Sequence, residues 1–351
     1  MSEFSKEKLL QILEENIPEI SLTGEIEKLS GGNINVVWRA KGEHKNVIIK
    51  YAPPHIATNP DVPLSNSRID FEANALKLYN DSERLKDIAS SKIRPPELYF
   101  FDGERSLIVM EDVGDLQELS SGVLASGSPQ KIGERLGIFI GDLHRITFRD
   151  EAFGRDFHNL EIQKVRNQLQ YQPAWEYAGL DNEKLEEEIK KRSQDLGNSL
   201  LEKGKCLVMG DLWPPSIFVG KRNQIRLIDW EFVHFGRPLQ DVAHFAAHCW
   251  MQGQVEKSTY YGSAWENLWT SFLKGYKVST SSLYGELLNK RELEDIGVHI
   301  GAEILIRTFG SFKNGYLYES YEIDHELLQG AKEQALRFIL DAEAIRREFG
   351  F

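Results

Sequence analysis

The stretch LVMGDLWPPSIFV at residues 207–219, followed by LIDWEF at 227–232, decides how this chain is read. Each segment opens on an apolar, strand-like run that delivers an aspartate at its C-terminal edge, Asp211 in the first and Asp229 in the second. A turn-like segment at 220–224 lies between them, so the spacing predicts a hairpin that brings the two carboxylates together. Phosphoryl transfer needs such a pair. One carboxylate orients an acceptor hydroxyl and the other holds a divalent cation against the phosphates. The plainer alternative is two structural aspartates at strand ends.

Upstream, β-forming runs at 24–29, 35–40 and 46–51 are separated by the turn-like segments SGGN and KGEH, which predicts an antiparallel meander. A proline-rich loop at 52–67 leads to a helix at 70–79, then strands at 97–101 and 106–110. After Val113 the pattern turns helical, at 131–147, 160–171, 182–202 and most of 241–348. The expected fold class is α+β: a sheet-rich lobe at 1–112 with one key helix, then a mostly helical lobe at 113–351.

Within this frame, Gly31-Gly32-Asn33-Ile34-Asn35 is either an ordinary turn or a loop whose backbone N–H groups approach a phosphate. Lys50 ends the apolar run Val47-Ile48-Ile49, and its head group must reach either solvent or a partner such as Glu72. The run at 108–113, ending Glu111-Asp112-Val113, reads as the linker between lobes, with backbone groups that could meet an adenine edge.

Composition excludes several classes. The chain has 351 residues and a net charge of −12, which argues against a nucleic-acid binder. Mean hydropathy is −0.40 and no apolar run is long enough to span a bilayer. The polar, helix-periodic N-terminus has no signal-peptide pattern, so a cytoplasmic location is expected. Two cysteines, Cys206 and Cys249, are too few for a disulfide scaffold. His244 and His248 stand at i, i+4 on a helical pattern, without the glutamate of an HExxH motif; they are metal ligands or, more plainly, packing residues.

Taken in order, the glycine loop, strand lysine, helix glutamate, linker, Gly210-Asp211 loop and Asp229-Trp230-Glu231 resemble the aminoglycoside phosphotransferase and choline-kinase-like family, over about residues 25–309. Leu143-His144 resembles the end of the helix before that family's catalytic loop, and the segment 236–241 resembles the one carrying a structural aspartate, Asp241. The resemblance implies a protein-kinase-like bilobal fold and an ATP- and Mg²⁺-dependent phosphotransferase acting on a small hydroxylated molecule. It makes Asp211 the catalytic base and Asp229 the principal metal ligand. It gives ATP-binding roles to Gly32, Asn33, Asn35, Lys50, Glu72, Glu111 and Val113. Locally the chain is similar to 5-methylthioribose kinase and to fungal phosphotransferase-like proteins, which adds Ser216 and Glu231 as further metal contacts and Arg307 as a substrate contact. Where methylthioribose kinase carries two adjacent arginines, this chain has Ile306-Arg307, so methylthioribose is expected to be a poor substrate.

The family usually has histidine at the position of Met209, which fills similar volume but cannot make its hydrogen bond. A nucleotide-binding pseudokinase, acting as an interaction module, is therefore the competing reading. A kinase acting on proteins is disfavoured, because Glu231 leads almost directly into Phe235-Gly236-Arg237-Pro238 and leaves no long activation segment.

Overall fold

The computed structural model describes residues 4–30, 34–81, 85–259 and 261–351. Helix α1 (Lys6–Asn16) starts where the Ser5 hydroxyl accepts the Lys8 N–H, and it buries Leu9, Ile12 and Leu13. Strands β1 (Leu22–Lys28), β2 (Val36–Gly42) and β3 (Val47–Tyr51) form the expected meander. Helix α2 (Arg68–Asp81) follows, and β4 (Leu98–Asp102) and β5 (Leu107–Glu111) complete an antiparallel sheet ordered β1-β2-β3-β5-β4.

Every residue of β3 is buried, because the sheet is covered on both faces. Val47 and Ile49 pack with α1, whereas Ile48 faces the core shared with Ile69, Ala73 and Leu76 of α2. Lys50 has the parity of Ile48, so strand alternation turns its charge inward beneath α2. The proline-rich segment also carries a short hairpin, His55–Ile56 with Asn59–Pro63, that the sequence pattern did not disclose. Its prolines sit where few ladder donors are needed.

The helical part is organised by α3 (Pro129–Ile146), α4 (Leu160–Arg166), α5 (Leu239–Val255), α6 (Gly262–Ser279) and α7 (Lys290–Thr308). Between α4 and α5 lie β6 (Cys206–Val208), β7 (Ile217–Gly220), β8 (Gln224–Leu227) and β9 (His234–Gly236). The hairpin expected around 220–224 is present. β7 pairs with β8, but the strand leading to Asp211, β6, pairs with β9 in a separate sheet. Pro214 and Pro215 supply no ladder N–H, and the chain bends through a 3₁₀ turn at Pro214–Ser216 before β7 begins. The expected helix at 160–171 also divides: α4 widens into a π-helical turn, Asn167–Tyr171, immediately after Arg166.

Helices α3 and α6 approach backbone to backbone. Gly133 and Gly137, one turn apart, face the Leu268 and Phe272 carbonyl oxygens, leaving no room for a Cβ. Alanine at Gly137 gains about 1 kcal/mol of helix propensity but forces two main chains apart, at a cost of about 1–3 kcal/mol. Gly137→Ala should therefore lower the urea midpoint with little change in slope. An unchanged or raised midpoint would show that α3 can slide without loss.

Candidate active site

Lys50 is 2% exposed and its Nζ gathers three carboxylates. Glu72 Oε2 of α2 lies at 2.8 Å, Asp229 Oδ1 at 2.7 Å and Glu231 Oε1 at 3.5 Å. Burial opposes the charge, yet Asp229, Glu231 and Glu72 outweigh it and hold the Lys50 ammonium well above the usual lysine range. Burial pushes the Glu72 carboxyl up, with Lys50 pulling against it.

Glu231 is tied down from several sides. Asn35 Nδ2 donates to its Oε2 at 2.7 Å, and Arg68 Nε lies 3.4 Å from the same oxygen. Arg68 is fully buried and also donates to Asn35 Oδ1 at 3.1 Å and to the Ile34 carbonyl at 2.9 Å. The last residue of the glycine loop, Asn35, is thus wired to the DWE segment. Gly32 and Asn33 lie outside the described residues. Asp229 has φ 62° and ψ 62°, a left-handed conformation that costs free energy for a residue other than glycine. Its side chain is 39% exposed. Trp230, next in sequence, is fully buried against Tyr79 and Phe139. That anchor fixes the backbone from which the part-exposed Asp229 side chain projects.

The Gly210-Asp211 loop is braced from below. Asp241 is buried, and its carboxylate accepts the N–H groups of Met209 at 2.9 Å and Gly210 at 2.7 Å. His144 Nε2 lies 2.9 Å from the same carboxylate. Gly210 has φ +84°, and a Cβ there would strike the Phe232 carbonyl, which is where the two aspartate-bearing segments meet. The Ser216 hydroxyl donates to the Trp213 carbonyl at 2.8 Å, closing the turn after Asp211.

Asp211 itself accepts from Arg166 Nη2 at 2.6 Å, while Arg166 Nη1 bonds the Gly210 carbonyl. His244 Nε2 lies 3.3 Å from Asp211 Oδ1. Burial pushes the Asp211 carboxyl up, but His244, Arg166 and Arg307 prevail and keep it below the ordinary range. It is a carboxylate at neutral pH. Beside it, the Arg307 guanidinium lies over the rings of Trp213, Tyr316 and Phe312, at 4.7, 5.1 and 5.3 Å from their centres. Arg307 Nε donates to buried Glu303 at 2.8 Å. At the linker, the Glu111 side chain is held by Arg94 through two bonds of 2.6 and 2.8 Å, and Arg39 pairs with Asp112 at 2.7 Å.

Of the residues picked from sequence, the structure brings Asn35, Lys50, Glu72, Asp229 and Glu231 into one cluster, and places Arg307 and Ser216 beside the Asp211 loop. Arg68, Arg166 and Glu303 were missed. Each looks in sequence like an ordinary charge on an amphipathic helix, and only tertiary packing buries it.

The profile of the phosphotransferase enzyme family matches residues 25–272. A 4-hydroxytryptamine kinase from Psilocybe cyanescens is 24% identical over 368 residues, covering 97% of this chain and 98% of that protein. A methylthioribose kinase from Geobacillus sp. (strain WCH70) is 24% identical over 352 residues, covering 88% of this chain and 83% of that one. The solved structure of amicoumacin kinase hAmiN, in complex with AMP-PNP, Ca²⁺ and Ami, superposes with a TM-score of 0.56 at 12% identity over 97% of each chain. That likeness shows the kinase-like bilobal fold. Among the described residues, no helix is long and apolar enough to cross a membrane.

Buried His248 makes stability depend on pH. Burial pulls His248 down to about 3, against the bond it makes with Glu303. Its folded value lies below the unfolded value of about 6.5, so the unfolded chain takes up the proton first as pH falls. The stability contributed by neutral His248 is complete above about 6.5 and drains away towards 3. By pH 5 that loss is about 2 kcal/mol. In metal-free buffer, the fall in unfolding free energy between pH 7.5 and 5 should be smaller by about that amount in His248→Gln. Equal falls in the two proteins would contradict this account.

Proposed function

The chain belongs to the phosphotransferase enzyme family, and we propose that it is an ATP- and Mg²⁺-dependent kinase that moves the γ-phosphate to a hydroxyl of a small molecule. The observation that carries the reading is Lys50, a buried cation bridging Glu72 of α2 to Asp229 of the DWE segment. A buried charge spanning two segments is costly to maintain for structure alone. It fits a site that neutralises phosphates.

In this reading ATP lies between a lobe at 1–112 and a lobe at 113–351. Lys50, positioned by Glu72, meets the α- and β-phosphates. Asn35, with Gly32 and Asn33, shapes the loop over them, and backbone groups of Glu111 and Val113 meet adenine. The part-exposed Asp229 carboxylate suits a hard cation, and the buried Glu231 and Ser216 would be its further oxygens. Bound there, Mg²⁺ would offset charge on the phosphates. Asp211 accepts the proton of the acceptor hydroxyl as its oxygen attacks. Arg166 keeps Asp211 ionised and aimed. The supplies of ATP and Mg²⁺ that this chemistry needs suit a cytoplasmic location.

The rim beside Asp211 favours one kind of acceptor. Trp213, Tyr316 and Phe312 present rings, and the one arginine among them is already paired with Glu303. Such a wall suits a planar hydroxylated ring better than a polyol, whose many hydroxyls need free donors and acceptors. The similarity to a 4-hydroxytryptamine kinase points the same way.

Two outcomes are expected. Asp211→Asn should lower kcat by roughly 10²–10⁴ while leaving ATP binding largely intact, measured by labelled-phosphate transfer and nucleotide titration. Lost ATP affinity at unchanged kcat would move Asp211 to the nucleotide side. Second, kcat/KM for 4-hydroxytryptamine should exceed that for methylthioribose by at least about tenfold, a difference of one or two polar contacts. The reverse order would overturn the acceptor assignment. A chain that binds ATP yet phosphorylates no acceptor in a metabolite panel would be the pseudokinase.

A further inference from the structure

Beneath the Asp211 loop, α5 and α7 cross and bury a second cluster. His244 and His248 stand one turn apart on the same face of α5, and Glu303 faces them from α7. One ligand atom from each of the three lies within 4.8 Å of the others. His248 Nε2 is 3.1 Å from Glu303 Oε1, and His244 Nδ1 is 3.9 Å from Glu303 Oε2. Four-coordinate zinc with bonds of ~2.0–2.1 Å needs ligand separations of about 3.4 Å, so small side-chain shifts suffice. We propose that His244, His248 and Glu303 bind a transition-metal ion of the zinc class, with the fourth position open.

Proximity of ligand types is only the first argument. The second is that two of the ligands, His248 and Glu303, are already oriented by outer partners, as metal sites require, and that the third, His244, has a buried nitrogen left to orient. His248 Nδ1 lies 2.9 Å from the Tyr316 hydroxyl. His244 Nε2 points at Asp211 Oδ1, 3.3 Å away, and is buried without an aligned hydrogen bond. Glu303 accepts from Arg307 Nε at 2.8 Å. The protonation states suit a metal as well. Burial keeps His248 neutral, and Glu303 remains a carboxylate because Arg307, His244 and His248 outweigh its burial. On binding, the ring proton of His248 moves from Nε2 to Nδ1 and then donates to the Tyr316 oxygen. His244 binds through Nδ1, giving up its 3.3 Å contact with His299 Nε2, and presents its Nε2–H to Asp211. The two ligand histidines come from one helix and the carboxylate from another, a His₂Glu set that shares no residue with Asp229, Glu231 and Ser216.

The test uses the full chain without nucleotide. Zn²⁺ is titrated in competition with a chromogenic chelator, and Co²⁺ binding is followed by visible absorption. One equivalent of Zn²⁺ per chain is expected, with the intense bands of four-coordinate Co²⁺. His248→Gln and Glu303→Gln should each weaken binding by at least about tenfold, while Asp229→Asn leaves it unchanged. Failure to bind one equivalent, or the faint spectrum of six-coordinate Co²⁺, overturns the proposal. So does unaltered affinity in both ligand variants, or loss in Asp229→Asn, which would put the ion on the cleft carboxylates. Should a variant fail to fold, the stoichiometry and cobalt spectrum of the unmodified chain still decide. None of these readouts depends on phosphoryl transfer.

Discussion

A lysine ammonium with almost no access to water organises this molecule. Removing a charge from water costs several kcal/mol unless paired charges and hydrogen bonds replace the solvent. Lys50 is buried because β3 is covered by α1 on one face and α2 on the other, and its position in the strand turns it inward. Its compensation comes from two directions: Glu72 of the neighbouring helix, and Asp229 and Glu231 of a segment some 180 positions further along the chain. The sheet and the DWE segment are therefore held by a charge that neither could bury alone.

The same logic recurs around that centre. Arg68 is buried because Asn35, three carbonyls and Glu231 satisfy its donors, and in doing so it links the end of the glycine loop to α2. Asp241 is buried because two backbone N–H groups and His144 meet its carboxylate, so the loop carrying Asp211 rests on a fixed support. Met209 takes no side-chain part in that network; its backbone N–H does the bonding. The place usually held by a histidine can thus be apolar without loosening the loop. Beyond Asp211, a chain of contacts runs through His244 to His299, 3.3 Å away, and on to Tyr171 at 2.8 Å. A run of buried polar side chains is thus continuous with Asp211.

Much of the architecture was legible in the order of motifs. Alternating apolar runs with turn residues between them identified the meander, and the strand lysine, helix glutamate and two aspartates followed at family spacing. The hairpin expected between the two aspartate-bearing segments is present as β7 and β8, but the strand before Asp211 lies in another sheet. Pattern alone could not tell that β6 would pair with β9 rather than with β7, since both partners are short and apolar. Tertiary packing made that choice, with the two prolines after Trp213 blocking continuation of the ladder.

Sequence by itself determined the α+β class, the approximate extent of the sheet-rich region and the carboxylates that could serve phosphoryl transfer. These depend on local periodicity and on residue types, which a linear string displays directly. Only the tertiary structure decided which ordinary-looking charges are buried and paired. Arg68, Arg166 and Glu303 carry no mark in sequence, because burial belongs to the packed surroundings and not to the residue. The meeting of His244 and His248 with Glu303 arises in the same way. Two histidines a turn apart are visible on one helix, but the carboxylate that gives them a chemistry arrives from a helix 55 positions later, brought there by the crossing of α5 and α7.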